Sequence, residues 1–459
     1  MKVDTLTDQE IAQLKTAALE HLWMPSRDWV EIGEQGGPLI AVGAEGIRFT
    51  DSDGKTWIDV RGGYASVNVG YGRQEIADAA NEQMMQLHYF PQTSTTEIQV
   101  KLFEKLAQIT PDKLERSWAT TGGSEANETA IKMAKSYHSR IGEPGRYRII
   151  GRKGSYHGAT QGVMWLGGYS GLTDFYPAYP GIVHAPQPHP YRCELGGQSP
   201  SECAVLCAQA VEDLIKFYGP GTISAIVAEP VTASVGNSVP GDEYWPMLRQ
   251  ICDHYGVILI ADEVVTGFGR TGKMFGLEHW GVTPDIMTIS KGISSSYLPI
   301  GAAIATNEIA DRFASDEDSF RQALTFGGHP VSAAAALKNI DIIESENLVE
   351  HTASVGKYLN DHLHNLMDRY QFIGDVRGIG LMQAMEFVKD RVTKENFDES
   401  LGLGEKLTEK FRNQGLLLEA SNTILSFTPP LCITNAEVDE IIRVVSSSLE
   451  ETSKELSLQ

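Results

Sequence analysis

Val257-Ile258-Leu259-Ile260-Ala261 is an unbroken apolar run, and Asp262-Glu263-Val264 closes it. With no polar residue at alternate positions, the run predicts a strand buried on both faces, as strands are in a parallel sheet covered by helices. Arg148–Ile150, Ile223–Ala228, Ile286–Ser290 and Ala302–Ala305 read as further strands of the same kind. Helical stretches lie among them at Glu125–Tyr137, Ala204–Phe217 and Trp245–His254. This alternation predicts an α/β fold with a mostly parallel sheet. Ligands in such sheets sit outside the carboxyl ends of strands, so the residues just past each run are the ones to inspect.

Outside this region the pattern changes. Residues 8–22 read as an acidic amphipathic helix, and residues 38–60 as a hairpin around the turn Asp51-Ser52-Asp53-Gly54. Beyond residue 331 come two long helical stretches. Short strands at Ile373, Leu381–Phe387 and Ile424–Phe427 then alternate with helices near 403–414 and 435–449. The expected organisation is a large α/β domain over 61–330 and a smaller α+β domain over 331–459, to which residues 1–60 contribute.

Composition narrows the function. The 459 residues are 42 % hydrophobic and 21 % charged, an ordinary globular balance. With 38 Lys and Arg against 60 Asp and Glu, the formal charge is −22, which repels phosphate backbones and anionic lipid. Neither nucleic acid nor a membrane is expected as a partner. Cys193, Cys203, Cys207, Cys252 and Cys432 form no CxxC pair, which fits a reducing compartment rather than a disulfide framework or a zinc site. The start Met1-Lys2-Val3-Asp4 has no apolar signal core, and no apolar run approaches the ~18 residues of a span, so a cytoplasmic protein is expected.

Six stretches offer chemistry. Thr120-Thr121-Gly122-Gly123-Ser124-Glu125-Ala126-Asn127 opens a helix, and its glycines and free N–H groups suit a phosphate as well as they suit a plain capped turn. Ser155-Tyr156-His157-Gly158 places an aromatic where it can stack on a planar ligand, or a buried Tyr-His pair. Ala228-Glu229-Pro230 and Asp262 put carboxylates at strand ends, where burial demands a cation or a strong donor. A protonated ring nitrogen would satisfy Asp262; capping the next turn is the structural alternative. Ser290-Lys291-Gly292 sets a lysine at the mouth of a buried strand. Desolvation and a nearby cation would lower its pKa and leave a nucleophilic amine suited to a Schiff base. Thr325-Phe326-Gly327-Gly328-His329-Pro330 offers another hydroxyl to phosphate, or a simple break between elements. Phosphate donors, an aromatic stacker, a buried Asp and a strand-end Lys are together the parts that a pyridoxal phosphate site needs.

On Gly122–Asn127, Tyr156-His157-Gly158, Leu259–Gly272 and Ser290-Lys291-Gly292, the chain resembles the class III (omega-amino acid) aminotransferases of fold-type I, from Ile58-Asp59-Val60 to Pro429-Pro430-Leu431. The resemblance implies that Gly123 and Ser124 bind the phosphate of pyridoxal 5′-phosphate, that Tyr156 stacks on its ring beside His157, and that Glu229 hydrogen-bonds nearby. It implies Asp262 on the ring nitrogen, Val264 beneath the ring, and Lys291 as Schiff-base lysine and proton carrier. Thr325 would reach the phosphate of a second subunit, which implies a homodimer with shared sites and leaves a tetramer open. The implied reaction moves the amino group of a primary amine or omega-amino acid to an oxo acid in two half-reactions. Same-fold mutases and decarboxylating aminotransferases share Lys291 and Asp262, so those residues do not separate them. A non-catalytic binding protein on this fold is the remaining alternative, and it has no use for a buried Lys and Asp.

Two departures from the family bear on substrate. Many amine–pyruvate members carry a bulky Trp where this chain has Ala65, which widens the pocket unless a neighbour such as Tyr64 compensates. Relatives also often place a carboxylate-binding Arg where this chain has Glu419, in Leu418-Glu419-Ala420. A Glu there repels carboxylate and attracts cations, which favours pyruvate over the dicarboxylate 2-oxoglutarate and admits a donor with a second amine. Arg377 is a further candidate for the carboxylate, with a structural role expected instead.

Overall fold

Seven strands form the large sheet of the computed structural model, which describes residues 6–25, 28–168, 174–315 and 319–458. They are β1 (Leu114–Thr120), β2 (Arg148–Arg152), β3 (Ile182–Ala185), β4 (Ile223–Ala228), β5 (Ile258–Asp262), β6 (Ile286–Ile289) and β7 (Gly301–Thr306). Their order is β1-β7-β6-β5-β4-β2-β3. Every pair from β3 to β6 is parallel, whereas β7 runs antiparallel to both β6 and β1. That single reversal gives β1 the direction of the parallel strands, so all but β7 end at one edge. β3 is the strand that the sequence pattern does not reveal, because its four residues Ile182-Val183-His184-Ala185 form no apolar run.

Both faces of the sheet are covered. In β4, Ile226 and Ala228 join Trp245 and Leu248 of α3 (Tyr244–Tyr255) and Cys203 of α2 (Pro200–Tyr218). Ala225 and Val227 point the other way, into a core with Ala130 and Ala134 of α1 (Gly123–Arg140). β5 divides likewise, with Leu259 on the first side and Ile260 on the second. Period-two alternation between two apolar layers is what an all-apolar strand provides.

The N-terminal hairpin is present, its turn fixed by the Asp51 carboxylate, which accepts from the N–H groups of Asp53 and Lys55 at 3.0 and 2.9 Å. Its last strand, Thr56–Asp59, pairs in parallel with Leu416–Leu417, so the two ends of the chain share a sheet. Ile373–Ile379, Met382–Phe387 and Ile424–Phe427 make a third, antiparallel sheet. One apolar core runs from Ile58 through Phe268 and Ile289 to Leu363 and Phe427, tying both units together. Among the described residues no helix is long and apolar enough to cross a membrane.

Candidate active site

The carboxyl-end edge of the sheet gathers most of the candidate residues. Asp262 is the last residue of β5, Glu229 follows β4, and Lys291 lies two residues past β6. Tyr156 and His157 follow β2, and Gly123 and Ser124 begin α1 after β1. Asp262 is buried and accepts three hydrogen bonds. Its Oδ1 accepts from the Val264 N–H at 3.0 Å, and its Oδ2 from Asn127 Nδ2 at 2.8 Å and His157 Nδ1 at 2.7 Å. A carboxylate has about four acceptor positions, so these donors leave one for a ligand.

A chain of buried polar groups extends from this carboxylate. Thr288 donates to Asn127 Oδ1 at 2.8 Å, which fixes which way the Asn127 amide points. On the other side, His157 Nε2 lies 3.6 Å from Glu229 Oε2, and Arg152 Nη2 donates to the same oxygen at 2.8 Å. Glu229 Oε1 accepts from the Tyr156 N–H at 3.2 Å, placing the Tyr156 ring, which is exposed, at the rim. Burial by itself lowers the His157 pKa, but the Glu229 and Asp262 carboxylates outweigh it and hold it raised.

Lys291 sits in strained backbone, with φ +48° in a region that non-glycine residues rarely adopt, at a cost of ~1–3 kcal/mol. Gly292 lets this turn close, since a Cβ there would lie 2.5 Å from Asn68 Nδ2. The Lys291 Nζ donates to the Tyr64 carbonyl at 3.1 Å. Its pKa is lowered to about 8, chiefly by burial; Asp262 opposes the shift and the Arg270 guanidinium adds to it. The structure thus supplies both the desolvation and the neighbouring cation that a nucleophilic lysine requires.

A third feature completes the edge. α1 opens on Gly122 with no side-chain cap, and a Cβ on Gly122 would meet nothing within 4 Å. The first-turn N–H groups have no intrahelical partners, and no side chain caps them. Gly123 has no room for a Cβ, which would lie 2.9 Å from Val264 Cγ1, and Ser124 Oγ accepts from the Ala159 N–H at 3.1 Å.

Comparison with known proteins identifies the family. Residues 32–449 match the family model for aminotransferase class-III. The chain belongs to the class-III aminotransferases. This aminotransferase is 36 % identical over 455 residues to the putrescine–pyruvate aminotransferase of Pseudomonas aeruginosa, covering 98 % of each chain. It is 38 % identical over 437 residues to the taurine–pyruvate aminotransferase of Bilophila wadsworthia, covering 92 % of this chain and 94 % of the relative. Among solved structures it superposes on a thermostable (S)-enantioselective omega-transaminase from Thermomicrobium roseum with TM-score 0.93 at 37 % identity, covering 96 % of this chain and 98 % of that one. An amine transaminase from an uncultivated Pseudomonas species, solved with pyridoxal phosphate bound, matches with TM-score 0.89 at 34 % identity, covering 94 % of this chain and 98 % of that one. The fold is therefore fold-type I, and the protein is a pyridoxal-phosphate-dependent enzyme that transaminates between amines and oxo acids. Its own residues fit that cofactor: an open helix N-terminus for a phosphate, a buried carboxylate with an acceptor position left, and a depressed lysine.

Thr325, Ala65 and Glu419 lie outside this network of buried polar groups. Thr325 is exposed in the loop 321–329 and bonds to none of the cluster above. Ala65 is buried, while Tyr64, whose carbonyl meets Lys291, is 65 % exposed with its ring under the Arg61 guanidinium at 4.3 Å. Glu419 does not offer a free negative charge. One oxygen forms an ion pair with Arg61 and the other accepts from Arg412 Nη2 at 3.1 Å. Arg377 is structural, as expected, held by Asp375, Glu386 and the Val235 and Gly236 carbonyls. Three residues of the polar chain, Asn127, Thr288 and Arg152, and the nearby Arg270 went unread as site residues. Asn127 had a signal, because it lies on the apolar stripe that Ala130 and Ile131 continue.

Proposed function

We propose that this enzyme moves the amino group of a primary amine or omega-amino acid to pyruvate, with Lys291 and Asp262 as its catalytic pair. The observation that carries the reading is the Lys291 amine, partly buried and depressed to about 8, within electrostatic reach of an Asp262 carboxylate that keeps one acceptor position. When bound, pyridoxal phosphate supplies an aldehyde for amines and a ring that withdraws electrons from the bond being broken. The first-turn N–H groups of Gly123 and Ser124, with the Ser124 hydroxyl, would hold its phosphate. Tyr156 and Val264, the latter packed against Gly123, would hold its ring. Asp262 would keep the ring nitrogen protonated, with His157, Asn127 and Glu229 fixing Asp262 in place. Lys291 would take up the proton from the substrate carbon.

Pyruvate is supported by the relatives named for putrescine–pyruvate and taurine–pyruvate exchange. Tyr64, exposed beside Lys291, favours the reading in which it compensates for the small Ala65. The engaged Glu419 bears on the acceptor as well. It occupies Arg61 and Arg412, two cations that a second carboxylate would otherwise recruit. Glu419→Gln should therefore raise kcat/KM for 2-oxoglutarate relative to pyruvate by about five-fold, the equivalent of ~1 kcal/mol for a partly exposed pair. An Arg at 419 would instead crowd against Arg61 and Arg412 and destabilise the protein. An amine panel run against both acceptors, with products read by mass spectrometry, tests the whole reading. No alanine from any donor would refute pyruvate, and carbon dioxide release would point to a decarboxylating enzyme.

The working unit we propose is a homodimer. Met84, Met85 and Leu87 are exposed on the helix Gln74–Leu87, with Phe90 just beyond it. Gln92 Nε2 donates to the Gly327 carbonyl at 2.8 Å, joining this apolar strip to the loop that carries Thr325 and the exposed Phe326. A strip of this kind beside a phosphate-binding hydroxyl suits a shared site. Sedimentation velocity should show two chains per particle and Met85→Asp should split them; a wild-type monomer would refute the dimer.

A further inference from the structure

Cys193, Cys203 and Cys207 are far from any recognised thiol motif in spacing, yet the fold brings their sulfurs together. All three lie within 4.8 Å of one another. Cys203 and Cys207 are one turn apart on α2 and project from the same face, with Sγ atoms 4.0 Å apart. Cys193 arrives from the turn that precedes α2, whose Gly196 N–H bonds back to the Cys193 carbonyl at 3.1 Å. That turn can close onto the helix only because residue 197 is glycine. A Cβ there would lie 2.7 Å from the Cys203 nitrogen and 3.2 Å from Cys193 Sγ.

We propose that these three thiols form a binding site for one soft, thiophilic metal cation of the copper(I), cadmium or mercury(II) class. An ion ~2.3 Å from three sulfurs in one plane spaces them about 4.0 Å apart, the separation already present between Cys203 and Cys207. Sulfur donors with no carboxylate among them select soft ions over magnesium or calcium. Cys203 and Cys207 are fully buried, whereas Cys193 is partly exposed and provides the way in. Each sulfur binds as thiolate, so the ion displaces the thiol protons to solvent as its bonds to sulfur form.

The site lies on the α2 side of the sheet, in the apolar layer with Trp245 and Leu248, and is separate from the Lys291 edge. Titration of the reduced holoenzyme with cadmium chloride, followed by thiolate-to-metal charge-transfer absorbance and native mass spectrometry, tests the proposal. One ion per chain is expected. Cys193→Ser, at the exposed rim and so least disruptive to folding, should weaken binding by ~100-fold or more, since even outer partners of a metal site are worth 10–100-fold. Cys252→Ser and Cys432→Ser, outside the cluster, should leave stoichiometry and affinity unchanged. Cadmium binding that survives Cys193→Ser, or wild-type protein that develops no charge-transfer band, would overturn the assignment.

Discussion

Lys291→Ala protein should stay colourless with pyridoxal phosphate and transaminate no amine, with kcat reduced by more than about 10⁴-fold. On the proposed function the amine carries two duties, anchoring the cofactor and moving a proton, and proton transfer alone is worth ~10²–10⁴-fold. Neither duty has a substitute among the described residues. Arg270 is the neighbouring cation, but it is buried and committed to Asn68 Oδ1 at 2.9 Å and to the Leu381 and Pro429 carbonyls. A guanidinium so held, and still protonated at neutral pH, does not form an imine. Folding should be preserved, because the only hydrogen bond of the Lys291 amine among the described residues is to the Tyr64 carbonyl. Full turnover by the alanine variant would remove Lys291 from the mechanism.

The same lysine makes a second measurable claim. Its pKa is lowered to about 8, so the neutral, nucleophilic amine appears as pH rises through that value. The rate at which the apoprotein takes up pyridoxal phosphate and turns yellow should climb through the same range and then level. Burial is the main cause and Arg270 the secondary one, so Arg270→Met should move the midpoint upward. A pH-independent rate would mean that the amine is deprotonated by another route.

How much of this was legible in the sequence depended on whether a residue's role was local. Asp262, Lys291 and Glu229 could be found because each ends or follows a predominantly apolar strand, and a charge in that position must meet something. Gly123 and Ser124 could be found because a glycine pair marks the start of a helix, although Ser124 does not cap it. The supporting groups are not local. Thr288 sits inside the apolar run Ile286-Met287-Thr288-Ile289 and gains its role only when β6 lies close enough to α1 for it to reach Asn127. The partners of Glu419 are distant in the same way: its carboxylate pairs with Arg61, 358 positions away in the chain. The three-thiol cluster needed both the glycine turn at 196–197 and the register of α2, neither of which a cysteine count reveals.

Asp262→Asn should lower kcat for both half-reactions by ~10²–10³-fold, the usual loss when one preorganised electrostatic partner is removed. The charge is lost, so nothing holds a ring nitrogen protonated. The geometry also turns hostile. Asp262 Oδ2 now accepts from the Asn127 amide and from His157. An asparagine that keeps its oxygen on the Val264 N–H must point its own NH₂ at the Asn127 NH₂. Asn127 cannot flip to relieve this, because its oxygen is held by Thr288. Two facing donors in a buried site cost ~1–3 kcal/mol of desolvation. His157 supplies a readout that a purely structural role would not move. Its pKa is held up by the Glu229 and Asp262 carboxylates against burial, so removing one of them should lower it, as followed by NMR titration of the ring protons. Asn127→Ala separates the two effects, since it removes the facing donor and leaves the Asp262 charge intact. If charge is what matters, that variant loses far less activity than Asp262→Asn. If the two variants fall equally, Asp262 serves only to position its neighbours, and the ring nitrogen has a different partner.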